Sequence, residues 1–422
     1  MKKVINALLY ITIVLITAYV FSTPIRLMTS SSTYIPMTYY SSVENQFVSL
    51  PQDNSKEVQK AFEQKLPELY YRQLAMDGTM PDTLSGVAVS PQFFKHHNFF
   101  VHYRPSQHYS PNVPMYPLME ALSGEVNLRM PDDYFRLVSS GIEFVRIADN
   151  KVDQAKSEAF TSALSDAGFI FPACWATGIP NPKKTREEGY FLSDNEGKVF
   201  RIRMEKGNPV IYTHPNLSRL RPTSILPQTV DDASIFGLAF CDNNEIYAIT
   251  APDMEPKKLP LDFDPTWQSF FIWRTPFYWN ISVDNPGYFS DYKPSDKNQA
   301  GRTIYAFSPY QLDKVHTKTF GIDKDNWDRV RQYLFPFVLQ LKSQSSSYFS
   351  PSIRFTSWHY LYFNIPLALL MGLLGYYCLQ KRPTQITRRG KQALVLSTLL
   401  VVLLGIYAIP AELYINGHQY QK

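Results

Sequence analysis

Apolar residues are spread unevenly along this chain. Three long runs, at residues 4–21, 360–379 and 393–409, hold few polar side chains, and all lie near an end. Each falls in the roughly 17–25-residue window of a membrane-spanning helix. Between the first two runs the texture changes. Short apolar stretches alternate with Pro, Gly, Asn and Asp, as strands and turns do. The pattern predicts a membrane protein with three transmembrane helices and a β-rich extracytoplasmic domain containing some helix. Residues 1–23 form an N-terminal anchor, 24–358 the domain, and 359–422 a two-helix hairpin. No Asp, Glu, Lys, Arg or His falls within the three runs, which argues against a self-sufficient ion or proton path.

Within the middle region, residues 53–76 read as a helix. Val58, Phe62, Leu66, Leu69 and Leu74 lie near one face, and Pro67 must bend it. Strands are expected at 85–90, 99–103, 124–130, 134–138 and 141–147. Val152, Ala155, Ala159, Phe160, Ala163, Leu164 and Ala167 then give a helical stripe that Gly168 should cap, followed by a strand at 169–175. Three hairpin-like segments follow, at 190–202, 236–249 and 302–319. The first two turn at Asp194-Asn195-Glu196-Gly197 and Cys241-Asp242-Asn243-Asn244-Glu245, the third at 309–313. Successive segments lie about 46 and then about 60 residues apart, near the roughly 40–50 of propeller blades. The domain is thus either irregularly propeller-like or a β-rich fold with unrelated hairpins. Residues 326–341 read as a closing helix interrupted at Pro336.

Charge adds a direction. Lys2 and Lys3 precede the first run, and the loop 380–392 carries Lys381, Arg382, Arg388, Arg389 and Lys391 without an acid. Positive charge stays on the cytoplasmic side. The N-terminus and the basic loop are therefore expected inside the cell (inner) membrane, with the large domain and residues 410–422 outside. A signal peptide cleaved after Ser22 is the competing reading of the first run. The basic loop accounts for much of the +5 net charge, and no basic patch of the kind that meets nucleic acid occurs in the middle. Trp358, Tyr360 and Tyr362 stand at the entrance of the second run, where aromatic rings favour the headgroup level. Of the three cysteines, Cys378 lies in an apolar run, and Cys174 and Cys241 are either paired or two small free thiols.

Candidate chemistry is sparse. His96, His97, His102 and His108 cluster in sequence, but His96 and His102 would lie about 20 Å apart along a strand. Only His102 and His108, across the Pro105 turn, could meet at one metal ion, whose ligands must lie about 2 Å from it; exposed strand-edge histidines are the competing reading. Trp267, Phe270, Phe271, Trp273, Phe277, Tyr278 and Trp279 form the densest aromatic cluster. Trp267, Trp273, Tyr278 and Trp279 are its ligand or interface candidates, against the alternative of core packing. The acid pairs Asp132-Asp133, Glu187-Glu188 and Asp231-Asp232 read as turns. Asn280-Ile281-Ser282 matches the glycosylation pattern. No phosphate loop, nucleophile elbow, zinc-protease or Cys-x-x-Cys motif is present, so no cofactor is expected and any catalytic site must be dispersed.

Tyr70-Tyr71-Arg72-Gln73-Leu74, Asp77-Gly78 and Pro81-Asp82, together with Gly189-Tyr190-Phe191-Leu192, Asp194 and the terminal two-run hairpin, resemble a family of uncharacterised bacterial envelope proteins that share a domain of unknown function. The resemblance covers nearly the whole chain and carries no catalytic residues. It implies an ABC transporter permease or another membrane protein as partner, besides the lipid bilayer. The expected function is a non-enzymatic, membrane-anchored binding or accessory protein of the envelope. The alternative is an extracytoplasmic enzyme acting on envelope glycan or lipid through a dispersed site.

Overall fold

The computed structural model describes residues 2–29, 34–53, 55–106, 113–124, 127–266, 268–285, 300–321, 326–342, 349–380 and 388–419. The middle of the chain is built from antiparallel strands in several sheets, none of which closes into a barrel among the described residues.

Three meanders dominate it. The strands Trp175–Gly178, Tyr190–Ser193, Val199–Glu205 and Asn208–Thr213 form the first, in sequential order. Pro222–Pro227, Ile235–Cys241, Ile246–Thr250 and Glu255–Leu259 form the second. Ser269–Arg274, Trp279–Asp284, Ala300–Phe307 and Lys314–Gly321 form the third, and Phe99–Tyr103 joins its edge as a fifth strand. All three expected hairpins are present inside these meanders. The meanders begin at residues 175, 222 and 269, a steadier repeat than the hairpin turns suggest. In the first hairpin the Asp194 carboxylate accepts from the amides of Glu196 and Lys198, which fixes the turn. Asn244 supplies the left-handed residue of the second, at φ 61°.

Two cores hold the meanders together. Phe135, Phe144, Phe160 and Leu164 pack on Tyr190, Leu192, Phe200 and Ile202, which joins the helix Gln154–Asp166 and the strands Asp133–Val138 and Gly141–Arg146 to the first meander. That helix is capped at its start by Asp153, whose side chain accepts from the Lys156 amide. Gly168, at φ 86°, ends it as expected. Leu238, Phe240, Ile246 and Ala248 of the second meander pack on Phe99, Val101, Phe270, Ile272, Trp279 and Ile281 of the five-stranded sheet.

Several expectations fail for local reasons. The stripe at 53–76 forms two helices, Lys56–Gln64 and Pro67–Met76, because Pro67 opens the second and cannot sit inside one continuous helix. Residues 85–90 yield only the short strand Val87–Ala88, paired with Thr83–Leu84. The described residues of 124–130 are not in a strand. The strand expected at 169–175 begins only at Trp175, after Pro172, which has no N–H for a ladder. The closing helix stops at Leu334. Beyond Pro336 the chain becomes the strand Phe337–Lys342, paired with Phe349–Phe355. Cys174 and Cys241 are free thiols, the first exposed and the second buried.

Three helical stretches, Val4–Thr29, Trp358–Tyr377 and Leu394–Tyr414, are long and apolar enough to cross a membrane. The third is not straight. Its first helix, Arg388–Leu404, stops before Gly405, which has φ 57°. A short 3-10 turn follows, then a second helix, Ala408–Gln419. The Ser397 hydroxyl donates to Glu412 at 2.6 Å. In one continuous helix these residues would be about 22 Å apart, so the chain must double back at Gly405. A side chain on Gly405 would strike Asn364 of the neighbouring helix Leu361–Gln380. Asn364 itself donates to the Val402 carbonyl and satisfies the end of the helix that stops there. Residues 410–419, expected to continue outward as a tail, instead return along the N-terminal helix.

Candidate functional site

The five-stranded sheet buries one face against the second meander and turns the other towards the N-terminal part of the chain. Strand register places that second face in rows. Phe100, Trp273, Asn280, Ala306 and His316 form one, and His102, Phe271, Ser282, Ile304 and Lys318 the next. The hairpin of Thr38–Ser41 and Gln46–Ser49 docks on this face. The Tyr40 amide donates to Asn280 Oδ1 at 2.6 Å, and the Tyr40 ring stacks on His316 at 4.8 Å. Phe62 of the helix 56–64 and Leu66, at the joint before the helix 67–76, cover Trp273.

What stays uncovered is a cleft of about 250 Å³ beside the docked hairpin. Met37, Tyr39, Phe271 and Ile304 make its apolar wall, and Thr38, Asn280, Ser282, Asp284 and Arg302 its polar part. Arg302 donates through Nε and Nη2 to the two oxygens of Asp284, so this charge pair is internally matched. The cleft can accept a small ligand of mixed polarity through hydroxyl, amide and guanidinium groups. It brings no nucleophile to a base. Ser282 and His102 share a row but sit on strands separated by a third, about 10 Å apart. Burial first, then nearby Arg104, hold His102 below its ordinary imidazole range.

The aromatic candidates take different places. Trp273 and Trp279 are buried on opposite faces of the sheet, Trp273 against the N-terminal helices and Trp279 in the core shared with the second meander. Their rings do not reach solvent. Tyr278 is half-buried beside Tyr40, with centroids 4.7 Å apart. Trp267 lies outside the described residues, as does His108. The row that lines the cleft belongs instead to Phe271, which the sequence placed in the cluster without singling it out. His96 and His97 sit on the helix Pro91–His97, not on the strand with His102. Among the described residues no group of three potential ligands could hold a metal. Asn280 is 3% exposed, so its glycosylation pattern is closed off by the docked hairpin.

The acid pairs do more than turn the chain. Glu187 forms an ion pair with Lys184 at 2.7 Å, with both side chains buried. Glu188 bridges Arg186 and Arg201. Asp232 pairs with Arg274 at 2.9 Å, and Asp133 with Lys156 at 2.7 Å. Lys184 and Arg186 are two or three residues from their acids, whereas Arg201, Arg274 and Lys156 come from other elements, so only the first two pairings have a local signal in the sequence.

A second polar site lies among the apolar helices. Glu412, 7% exposed, accepts from the Tyr10 hydroxyl at 3.0 Å and from Ser397 at 2.6 Å. Val14 and Ala18 of the N-terminal helix pack beside it with Tyr407, Ala411, Phe335, Phe337 and Trp327. The apolar helices thus do contain an ionisable residue. Sequence reading missed it because Glu412 lies beyond the apolar run at 393–409, and only the reversal at Gly405 folds it back inside.

The architecture defines the class: a β-rich domain of antiparallel meanders, joined at both ends to apolar helices that pack with each other. The chain belongs to the family described as Domain of unknown function (DUF4857), whose model matches residues 37–293. That stretch contains both short motifs on which the family resemblance rests, and the terminal helices lie beyond it. No curated protein matches the chain. Among solved structures, one match is the dihydro-heme d1 dehydrogenase NirN in complex with DHE, at 8% identity over 65% of this chain and 78% of that chain. Its TM-score is 0.22, too low to carry an argument about this protein.

Proposed function

We propose that this protein is a non-enzymatic, membrane-anchored binding or accessory protein of the bacterial envelope. It sits in the cell (inner) membrane with its N-terminus in the cytoplasm and its large domain outside, and its helices dock beside a membrane partner of the ABC permease type. One observation carries the reading. The two chain ends form a single packed unit, in which Val14, Ala18, Tyr407 and Ala411 share a core with Trp327, Phe335 and Phe337 at the base of the domain. A flexible tether needs no such core, whereas a device that holds a domain in fixed orientation over a membrane does. Outward apolar side chains such as Leu369, Leu373, Leu396 and Leu403 suit lipid or a partner helix. The cleft offers binding groups, and Asp284, the one carboxylate among its described lining residues, is committed to Arg302.

The test has two stages. Alkaline washing should leave the protein in the membrane pellet, and purification of the full chain in mild detergent should bring a membrane protein with it. Release by alkali removes the anchored reading. Hydrolytic activity on envelope glycan or lipid that is lost in Ser282→Ala and His102→Ala would favour the enzyme alternative.

A further inference from the structure

The β-hairpin at the base of the domain runs directly into an apolar helix. Its second strand, Phe349–Phe355, is followed by Thr356 and Ser357, the turn Trp358–Tyr360 and the helix Leu361–Gln380. Ile353 and Phe355, two residues apart and so on one strand face, are both exposed. The exposure continues without a break through Trp358, Tyr362, Ile365, Leu369 and Leu373. Trp358, Tyr362 and Phe355 are each at least three-quarters exposed, at 79%, 75% and 83%. Large aromatic side chains are rarely left so bare in water.

A groove of about 550 Å³ opens along this strip, lined by Trp358, His359, Leu361, Tyr362, Ile365 and Pro366. Its wall is apolar on the helix side. Its mouth is polar: Ser357 Oγ lies 3.0 Å from His359 Nδ1, and the His359 ring rests between Tyr333 and Tyr362. Pro366 has no N–H, so the Tyr362 carbonyl beside the groove loses its helical donor and remains an acceptor. Among the described residues no lysine or arginine lines the groove.

We propose that this groove is a binding site for a zwitterionic phospholipid of the outer leaflet. One acyl chain lies against Leu361, Ile365 and Pro366, and the headgroup and glycerol oxygens meet Ser357, His359 and the Trp358 indole. The occupant follows from continuity: the groove lies in line with the exposed apolar residues Leu369 and Leu373, which suit lipid in the anchored reading, and the protein-partner alternative is an outcome of the test. Apolar walls, a hydrogen-bonding mouth and the lack of lysine or arginine among the described lining residues match a lipid whose headgroup has no net charge. The inference rests on the membrane-anchored reading and names a ligand for it.

The experiment uses the full chain in membranes containing phosphatidylethanolamine. Benzoyl-phenylalanine in place of Tyr362 is irradiated and the adduct is weighed. A phospholipid adduct is expected. A polypeptide adduct, or none, overturns the proposal. In parallel, native mass spectrometry should show one phosphatidylethanolamine retained by the wild type and lost in Ile365→Trp, which fills the groove, at an unchanged melting temperature. Equal retention overturns the proposal, and a lowered melting temperature moves the comparison to Ile365→Phe under the same criterion. Alkaline extraction of the same membranes separates the two levels. Protein that stays in the pellet but gives no lipid adduct refutes only the groove, and protein that washes off refutes the anchor.

Discussion

The meander domain and the helical unit at the chain ends bury polar groups by different means. In the domain, most buried acids meet opposite charges: Glu187 with Lys184, Glu188 with Arg186 and Arg201, Asp232 with Arg274; Glu68, which accepts from the Ser42 hydroxyl, is the exception among those named here. In the helical unit, hydroxyls and an amide take part. Tyr10 and Ser397 hold Glu412, Asn364 holds the Val402 carbonyl, and the Tyr407 hydroxyl donates to the Phe337 carbonyl at 3.0 Å. Thr12, Thr17 and Ser22 turn back onto carbonyls of their own helix. The difference follows from the surroundings. A domain edged by water can deliver two charges to one place and recover their desolvation in attraction and hydrogen bonds. Among apolar helices a neutral hydroxyl can satisfy a buried polar group at a smaller desolvation cost than a charge carries.

The largest effect should come from breaking a matched pair in the domain. Glu187→Gln leaves Lys184 buried without its counter-charge and weakens the bond from the Gly189 amide, which now spans 2.6 Å. We expect a loss of about 3–5 kcal/mol in chemical denaturation, much of it restored when Lys184→Met is added. A double variant as unstable as the single would contradict the pairing.

Next comes pH. Burial raises the Glu68 carboxyl from 4.5 to about 7. Between those values the folded state binds more protons than the unfolded one, so this residue costs stability as pH rises. Burial, aided by Arg201, lowers His214 from 6.5 to about 4. Between those values the unfolded state binds more protons, so this residue costs stability as pH falls. Each amounts to about 3 kcal/mol over its range, and the two slopes nearly cancel between about pH 4.5 and 6.5. Glu68→Gln should therefore give a protein that gains stability with rising pH there, and His214→Asn one that loses it. Melting curves across that range check both signs.

In the helical unit the same kind of change should matter less. Glu412→Leu removes two hydrogen bonds and strands two hydroxyls, worth about 1–2 kcal/mol in detergent unfolding. Tyr10→Phe should cost about half as much. A loss as large as that of Glu187→Gln would contradict this ranking of the two regions. The smallest effect belongs to the rim of the cleft. Arg302 and Asp284 are partly exposed, so Asp284→Asn should change stability by less than about 1 kcal/mol, while altering which ligands the cleft retains.

Much of the local structure was legible. The strand Phe99–Tyr103, the helix ending at Gly168 and the three hairpins follow from side-chain period and turn chemistry, which depend on neighbours in sequence. The break at Pro67 was equally plain. The cleft was not. Phe271, Ser282, Asp284 and Arg302 meet because three strands align in one register, and Met37 and Tyr39 arrive from over two hundred residues away. Trp273 and Trp279 stood out by composition, yet burial on either face of the sheet was decided by which elements cover it.

The sequence by itself determined where the apolar helices lie, that a β-rich region stands between them, and which residues turn the chain, because these depend on periodicity and backbone sterics over a few residues. Tertiary packing alone makes the last apolar stretch double back, brings Glu412 to rest between Tyr10 and Ser397, and carries Arg201 to Glu188, Arg274 to Asp232 and Lys156 to Asp133. Those outcomes depend on close packing between segments far apart in the chain. Such packing is specified by shape and by the need to satisfy buried polar groups, and no local pattern records it.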